Sequence, residues 1–107
     1  MKINAEILKQ LIKEDLNLEA VLELKFHPTR RWRIDIAIPS LMIAIELEGG
    51  VYTKGRHTRP SGFLGDIEKY NNLTILGYKL LRYAHVKHSY NDIITELKEY
   101  IDNDKKK

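Results

Sequence analysis

The sequence predicts an α/β fold of the α+β kind: a mixed four-stranded sheet flanked by helices. Three observations predict it. Two consecutive segments alternate apolar and polar residues at period two, with only Pro39-Ser40 between them. Three other segments carry apolar stripes at helical spacing. A further β-type run, Tyr78 to Ala84, follows a glycine placed to end a helix.

Taken in order, Ile3, Ile7, Leu8, Leu11 and Ile12 make one helical stripe, with Asn4 as the N-cap. Val21 to Phe26 is β-compatible and closes at His27-Pro28. From Arg31 to Ile38 the even positions Trp32, Ile34, Ile36 and Ile38 are apolar, which places them together on a core face. Arg31, Arg33, Asp35 and Ala37 then share the other face. Pro39-Ser40 turns the chain. From Leu41 to Glu48 the odd positions are apolar, and Met42, Ala44, Glu46 and Glu48 face the other way, so the two strands form an antiparallel hairpin. Gly49 to Gly62 holds four glycines and one proline with Lys54, Arg56, His57 and Arg59; a loop of about 14 residues is long enough to be functional. Phe63 to Leu76 returns to helical spacing through Phe63, Ile67, Tyr70 and Thr74, with Leu64 and Leu73 alongside, and Gly77 caps it. After the strand Tyr78 to Ala84, Ser89 caps a last helix whose Tyr90, Ile93, Ile94, Leu97 and Ile101 follow the 3.6-residue period.

With 107 residues the chain has the length of one domain, expected over residues 1–104, with 105–107 a disordered basic tail. Its 43% hydrophobic and 31% charged residues suit a globular protein. No apolar run approaches the roughly 18 residues of a spanning helix, and the first residues lack a signal-peptide pattern. There is no cysteine, which closes disulfide and thiolate-zinc readings and fits a cytoplasmic setting. The net charge of +3 is too small to indicate a nucleic-acid partner by itself. Its distribution says more, with Arg30, Arg31 and Arg33 in one cluster and Lys54, Arg56, His57 and Arg59 in another.

A hairpin turning at Pro39-Ser40 sets Asp35 opposite or diagonal to Glu46, at roughly 4.5–8 Å between Cβ atoms, with Glu48 two residues along the same face. Carboxylates so placed repel, and a divalent cation relieves them; hard oxygen ligands without thiolates suit Mg2+ or Mn2+. The alternative is an ordinary solvated face on which Arg31 and Arg33 pair with Glu46 and Glu48.

Arg33-x-Asp35, ten residues, Glu46-x-Glu48 and Gly49-Gly50, on a helix-strand-strand-strand-helix-strand order, resemble the PD-(D/E)XK nuclease superfamily. The continuation is more specific: Gly55-Arg56-His57-Thr58-Arg59, Gly62-Phe63, Asp66-x-x-Lys69-Tyr70-Asn71 and Gly77-Tyr78-Lys79-Leu80-Leu81-Arg82. It is similar to small endonuclease domains related to the very-short-patch repair nucleases and to phage Holliday-junction resolvases. The resemblance spans Phe26 to Arg82. It implies a restriction-endonuclease-like αβββαβ core and a Mg2+-dependent endodeoxyribonuclease. Asp35 and Glu46 match the metal-binding acids, and Glu48 stands where the family usually has lysine. A glutamate there can ligate metal or act as general base but cannot lend positive charge. Lys54, Arg56 and His57 in the loop, or Lys69 on the next helix, are the candidates for that charge. Glu6 on the first helix is the candidate additional ligand.

Arg30, Arg31, Arg33, Lys54, Arg56, His57, Arg59 and Lys69 form the expected nucleic-acid surface, and His57 with Lys54 is expected near the chemistry. Trp32, Tyr70 and Tyr90 read as core, Asp66 as a helix cap, and His27, His85 and His88 as structural or exposed. The expected substrate is branched or junction DNA cut by a homodimer in a bacterial or phage-infected cell. Mismatch-directed or site-specific duplex nicking is the alternative, with a catalytically inert nucleic-acid-binding module of the same fold beyond it.

Overall fold

A computed structural model of the chain describes residues 2–49 and 60–105, with side chains in the second stretch from residue 64 onward. Within them the order is α1 (Ala5–Leu16), β1 (Val21–Lys25), β2 (Arg33–Ile38), a 3-10 turn at Pro39–Leu41, β3 (Ile43–Glu48), α2 (Pro60–Ile75), β4 (Lys79–Ala84) and α3 (Tyr90–Lys105). The strands form one mixed sheet in the order β1-β2-β3-β4. β1–β2 and β2–β3 are antiparallel, and β3–β4 is parallel. The fold is therefore α+β, a four-stranded mixed sheet flanked by helices.

Local chemistry sets the boundaries. Asn4 Oδ1 accepts from the N–H groups of Glu6 and Ile7 at 2.8 and 3.1 Å and starts α1. Ser89 and Asp92 exchange a pair of hydrogen bonds at the start of α3, a capping box with aspartate in the usual glutamate place. α2 closes with Gly77 at φ 96°. The Tyr78 N–H donates to the Leu73 carbonyl, and that of Gly77 to Thr74, two bonds that satisfy the orphan carbonyls of the last turn. α3 continues through Lys105, so the expected basic tail begins inside a helix; residues 106–107 lie outside the described residues.

Both sheet faces are buried. On one, Leu8 and Ile12 of α1 and Ile93 and Leu97 of α3 pack on Ile36, Ile38, Ile43, Ile45 and Tyr83. On the other, Leu73 of α2 packs with Ile34, Ala37 and Ala44. Ala37 and Ala44 are cross-strand partners, and their small side chains let α2 lie close to the sheet. Strict alternation fails at one place. Leu22 and Ile36 belong to the α1/α3 face, whereas their neighbours Leu24 and Ile34 pack on the α2 face. The left-handed backbone of Glu23 (φ 52°), opposite Asp35, rotates the ribbon there, so Ile34 does not share a face with Ile36 as period two implies.

Three other expectations are corrected. Trp32 lies outside both core clusters, half-buried at the β1–β2 connection. In α2 the stripe through Ile67 is not the buried one: Leu64 and Ile67 are exposed, and the inward side carries Asp66, Lys69, Tyr70 and Leu73. The polar inward face prevails because it meets the acids of β2 and β3. Asp66 lies in the second turn of a helix that begins at Pro60, so it does not cap α2. Among the described residues no helix is long and apolar enough to cross a membrane.

Candidate active site

The β2–β3 ladder has Ile38↔Ile43, Ala37↔Ala44 and Ile36↔Ile45 as partners, a register whose next positions are Asp35 and Glu46. There the carboxylates reach across between the strands. The Asp35 N–H donates to Glu46 Oε2 at 3.2 Å, and the Leu47 N–H donates to Asp35 Oδ2 at 2.8 Å. Each acid is thus fixed by main chain of the opposite strand, and the two face one another.

α2 completes the cluster. Lys69 Nζ donates to Glu46 Oε1 at 2.8 Å, with the two side chains only 17% and 8% exposed. The Tyr70 hydroxyl donates to the same oxygen at 3.3 Å. Burial pushes the Glu46 carboxyl above its ordinary range. The Lys69 hydrogen bond pulls it back, and the neighbouring Asp35 charge pushes it further up. Burial, followed by the charges of Glu46 and Glu48, drives the Tyr70 hydroxyl well up, so it stays protonated and donates.

β4 supplies the third charged layer. Its parallel register sets Arg82 beside Glu46, and Arg82 Nε donates to Glu48 Oε1 at 2.7 Å. The Arg82 guanidinium lies 5.4 Å from the Tyr70 ring centre, as does Lys69 Nζ, so the ring is flanked by two cations. The negative charge of Asp66 also acts on both Tyr70 and Arg82. Asp35, Glu46, Glu48, Lys69, Tyr70 and Arg82 therefore form one polar cluster between the sheet and α2.

No family model, curated protein or solved structure matches this chain.

The structure brings Asp35, Glu46 and Lys69 together and holds Glu48 on the same face, tied to Arg82. Among the described residues no group of three or more His, Cys, Asp or Glu side chains is gathered tightly enough to hold a metal ion. Glu6 is exposed on α1, against the sheet face opposite α2. Lys69 and Arg82, not Arg31 and Arg33, are the described cationic partners of Glu46 and Glu48. Arg30 pairs instead with Glu68 of α2, while Arg31 and Arg33 are exposed. Lys54, Arg56, His57 and Arg59 lie outside the described residues. The three remaining histidines are structural: His27, His85 and His88 each accept main-chain N–H groups at Nδ1.

Sequence reasoning missed Tyr70 and Arg82 as site residues. For Tyr70 the signal was adjacency to Lys69 one turn after Asp66. For Arg82 it was period two from Tyr78 and Leu80, both of which pack on the α2 face.

Proposed function

We propose that this chain is a Mg2+-dependent DNA endonuclease of the PD-(D/E)XK type, built on a restriction-endonuclease-like core and hydrolysing phosphodiester bonds in branched or junction DNA as a homodimer. The observation that carries this reading is the Asp35–Glu46 pair. Two carboxylates from adjacent strands are pinned face to face and partly buried; Lys69 offsets the charge at Glu46 alone, and a divalent ion would offset it for both acids.

The donor chemistry fits a hard divalent ion, which binds through one or two carboxylates and fills its remaining positions with water and substrate phosphate. Asp35 and Glu46 would hold it, with Glu48 beside them, and it would supply a bound water of lowered pKa and neutralise charge on the scissile phosphate. The protein's own groups do the rest. Lys69, whose ammonium sits at Glu46, supplies the positive charge that glutamate at position 48 cannot. Glu48, 26% exposed and held by Arg82, would take a proton from an attacking water. Tyr70 keeps its proton and orients Glu46. Arg30, Arg31 and Arg33, with Lys54, Arg56, His57 and Arg59, grip the phosphate backbone.

One observation favours a second reading. Lys69 and Arg82 already balance Glu46 and Glu48 without any metal, as a catalytically inert nucleic-acid-binding module would require. Cleavage of a four-way junction, a mismatch and a linear duplex, side by side in Mg2+ and in Mn2+, separates the two. The endonuclease cuts the junction, and Asp35→Asn and Glu46→Gln abolish cutting while leaving the fold and DNA binding intact. Wild-type cleavage in both variants rules out the assigned site, and binding without cutting in either metal favours the inert module. A strict monomer by light scattering, with and without junction, contradicts the dimer.

A further inference from the structure

From the last residue of β1 to the first of β2 the chain reads Lys25-Phe26-His27-Pro28-Thr29-Arg30-Arg31-Trp32-Arg33, with four cations, two large aromatic rings and no acid. Trp32 does not serve either core cluster. Instead it stacks on Phe26, with ring centres 6.1 Å apart and planes 16° from parallel. The His27 imidazole meets it edge-on at 5.2 Å. Phe26 is anchored below on the α2-side core, against Tyr78. The Arg30 guanidinium lies over the Trp32 ring, 4.0 Å from its centre. The same guanidinium pairs with Glu68, a solvent-exposed contact of the kind that contributes little.

We propose that this stack is a platform for an unpaired base of a nucleic-acid strand. The base takes the Trp32 face that Arg30 covers, and Arg30 moves onto a phosphate of the same strand. A planar ring held from behind by a second ring and from the side by a third is pre-organised for stacking, so little ordering remains to be done on binding. The His27 imidazole accepts the N–H groups of Thr29 and Arg30 at 3.2 and 3.0 Å, which sets the turn carrying the arginine. Arg31 and Arg33 are exposed on either side of Trp32, and with Lys25 they make the surroundings attractive to a phosphate chain. The platform and the acid pair are tied to the same helix: Glu68, the partner of Arg30, directly precedes Lys69, the partner of Glu46. The platform deepens the nuclease assignment, from which it takes its class of ligand, by requiring an unpaired nucleotide in the substrate.

Trp32 is the only tryptophan in the chain, so its fluorescence reports the platform directly. The protein is titrated in EDTA, where no cleavage occurs, with a single-stranded oligothymidylate, its RNA counterpart, a blunt duplex, and the same duplex carrying an unpaired flap. The platform predicts quenching by the single strands and the flap but not by the blunt duplex. Trp32→Ala should weaken flap binding, followed by anisotropy, by about tenfold or more, and Trp32→Phe should restore most of it. Arg30→Ala, which leaves the stack in place, should weaken binding less and flatten its salt dependence. Flap binding without quenching, or unchanged in a folded Trp32→Ala protein, overturns the platform while leaving the nuclease assignment standing, and absence of any binding overturns it as well. Quenching without Mg2+-dependent cleavage keeps the platform and removes the nuclease.

Discussion

Replacing Lys69 by methionine removes the ammonium from Glu46 while keeping most of the stem's volume. The carboxylate left behind is 8% exposed, faces Asp35, and retains only the Tyr70 hydroxyl and the Asp35 N–H as described donors. Breaking a fully buried ion pair by deleting one partner costs about 3–5 kcal/mol. Lys69 keeps 17% exposure, so the expected loss at neutral pH is about 2–4 kcal/mol, or roughly 9–18 °C in Tm for a chain of this size. The penalty has a pH signature. The Glu46 pKa is already raised in the native protein, and loss of Lys69 raises it further. A native state that binds its proton more readily than the unfolded chain loses stability as pH rises through the window above the ordinary glutamate range. The variant should therefore lie far below wild type at pH 7 and approach it toward pH 5, at about 1.4 kcal/mol per pH unit where Glu46 takes up its proton. Adding Glu46→Gln to Lys69→Met should recover most of the loss. Urea denaturation at several pH values reads all three proteins. A difference below about 0.5 kcal/mol at pH 7, or one that does not shrink on acidification, would falsify the assignment of Lys69 as the counter-ion of a buried acid.

The remaining predictions concern the same cluster and its frame. Because protons compete with metal for a carboxyl that lies above its usual range when metal-free, Mn2+ binding should weaken on acidification at a higher pH than an ordinary glutamate site would give, and Lys69→Met should move that limb higher still; Mn2+ titrations across pH check this. Arg82→Ala removes a pair whose arginine is 56% exposed, so stability should change by less than about 1 kcal/mol, measured by thermal melting, while the Mn2+ affinity of the released Glu48 side rises. Gly77→Ala places a side chain at φ 96° with Met42 Cε 3.7 Å from the new Cβ. Space is adequate and the backbone is not, so a loss of about 1 kcal/mol is expected in urea.

Much of the fold was legible in period and punctuation. The isoleucines at 36, 38, 43 and 45 alternate as a core face should, Asn4 and Ser89 cap helices, and Gly77 ends one. Hairpin register put Asp35 and Glu46 across from one another, because Pro39-Ser40 leaves few ways to turn. What was illegible depended on tertiary context. Nothing in the local pattern announces that Glu23 adopts φ 52° and rotates the ribbon, so Ile34 was assigned to the wrong face. In α2 the apolar Leu64 and Ile67 were read onto the buried side with Tyr70, and Lys69 was left off it, although Leu64 and Ile67 are exposed and Lys69 and Tyr70 face inward. Hydrophobic periodicity misleads most where a helix covers charged groups, since its inward residues are chosen for hydrogen bonding to acids. Trp32 was misread for the mirror-image reason: it sits on an apolar parity near a strand end but packs beyond the sheet.

Crystals soaked in Mn2+ and examined by anomalous scattering interrogate the acid pair itself. A peak bridging Asp35 and Glu46 is expected, with Lys69 turned from Glu46 and the peak lost in Asp35→Asn. Fully ordered carboxylates with Lys69 still at Glu46 and no anomalous density, at manganese concentrations that saturate an ordinary two-carboxylate site, would contradict the account.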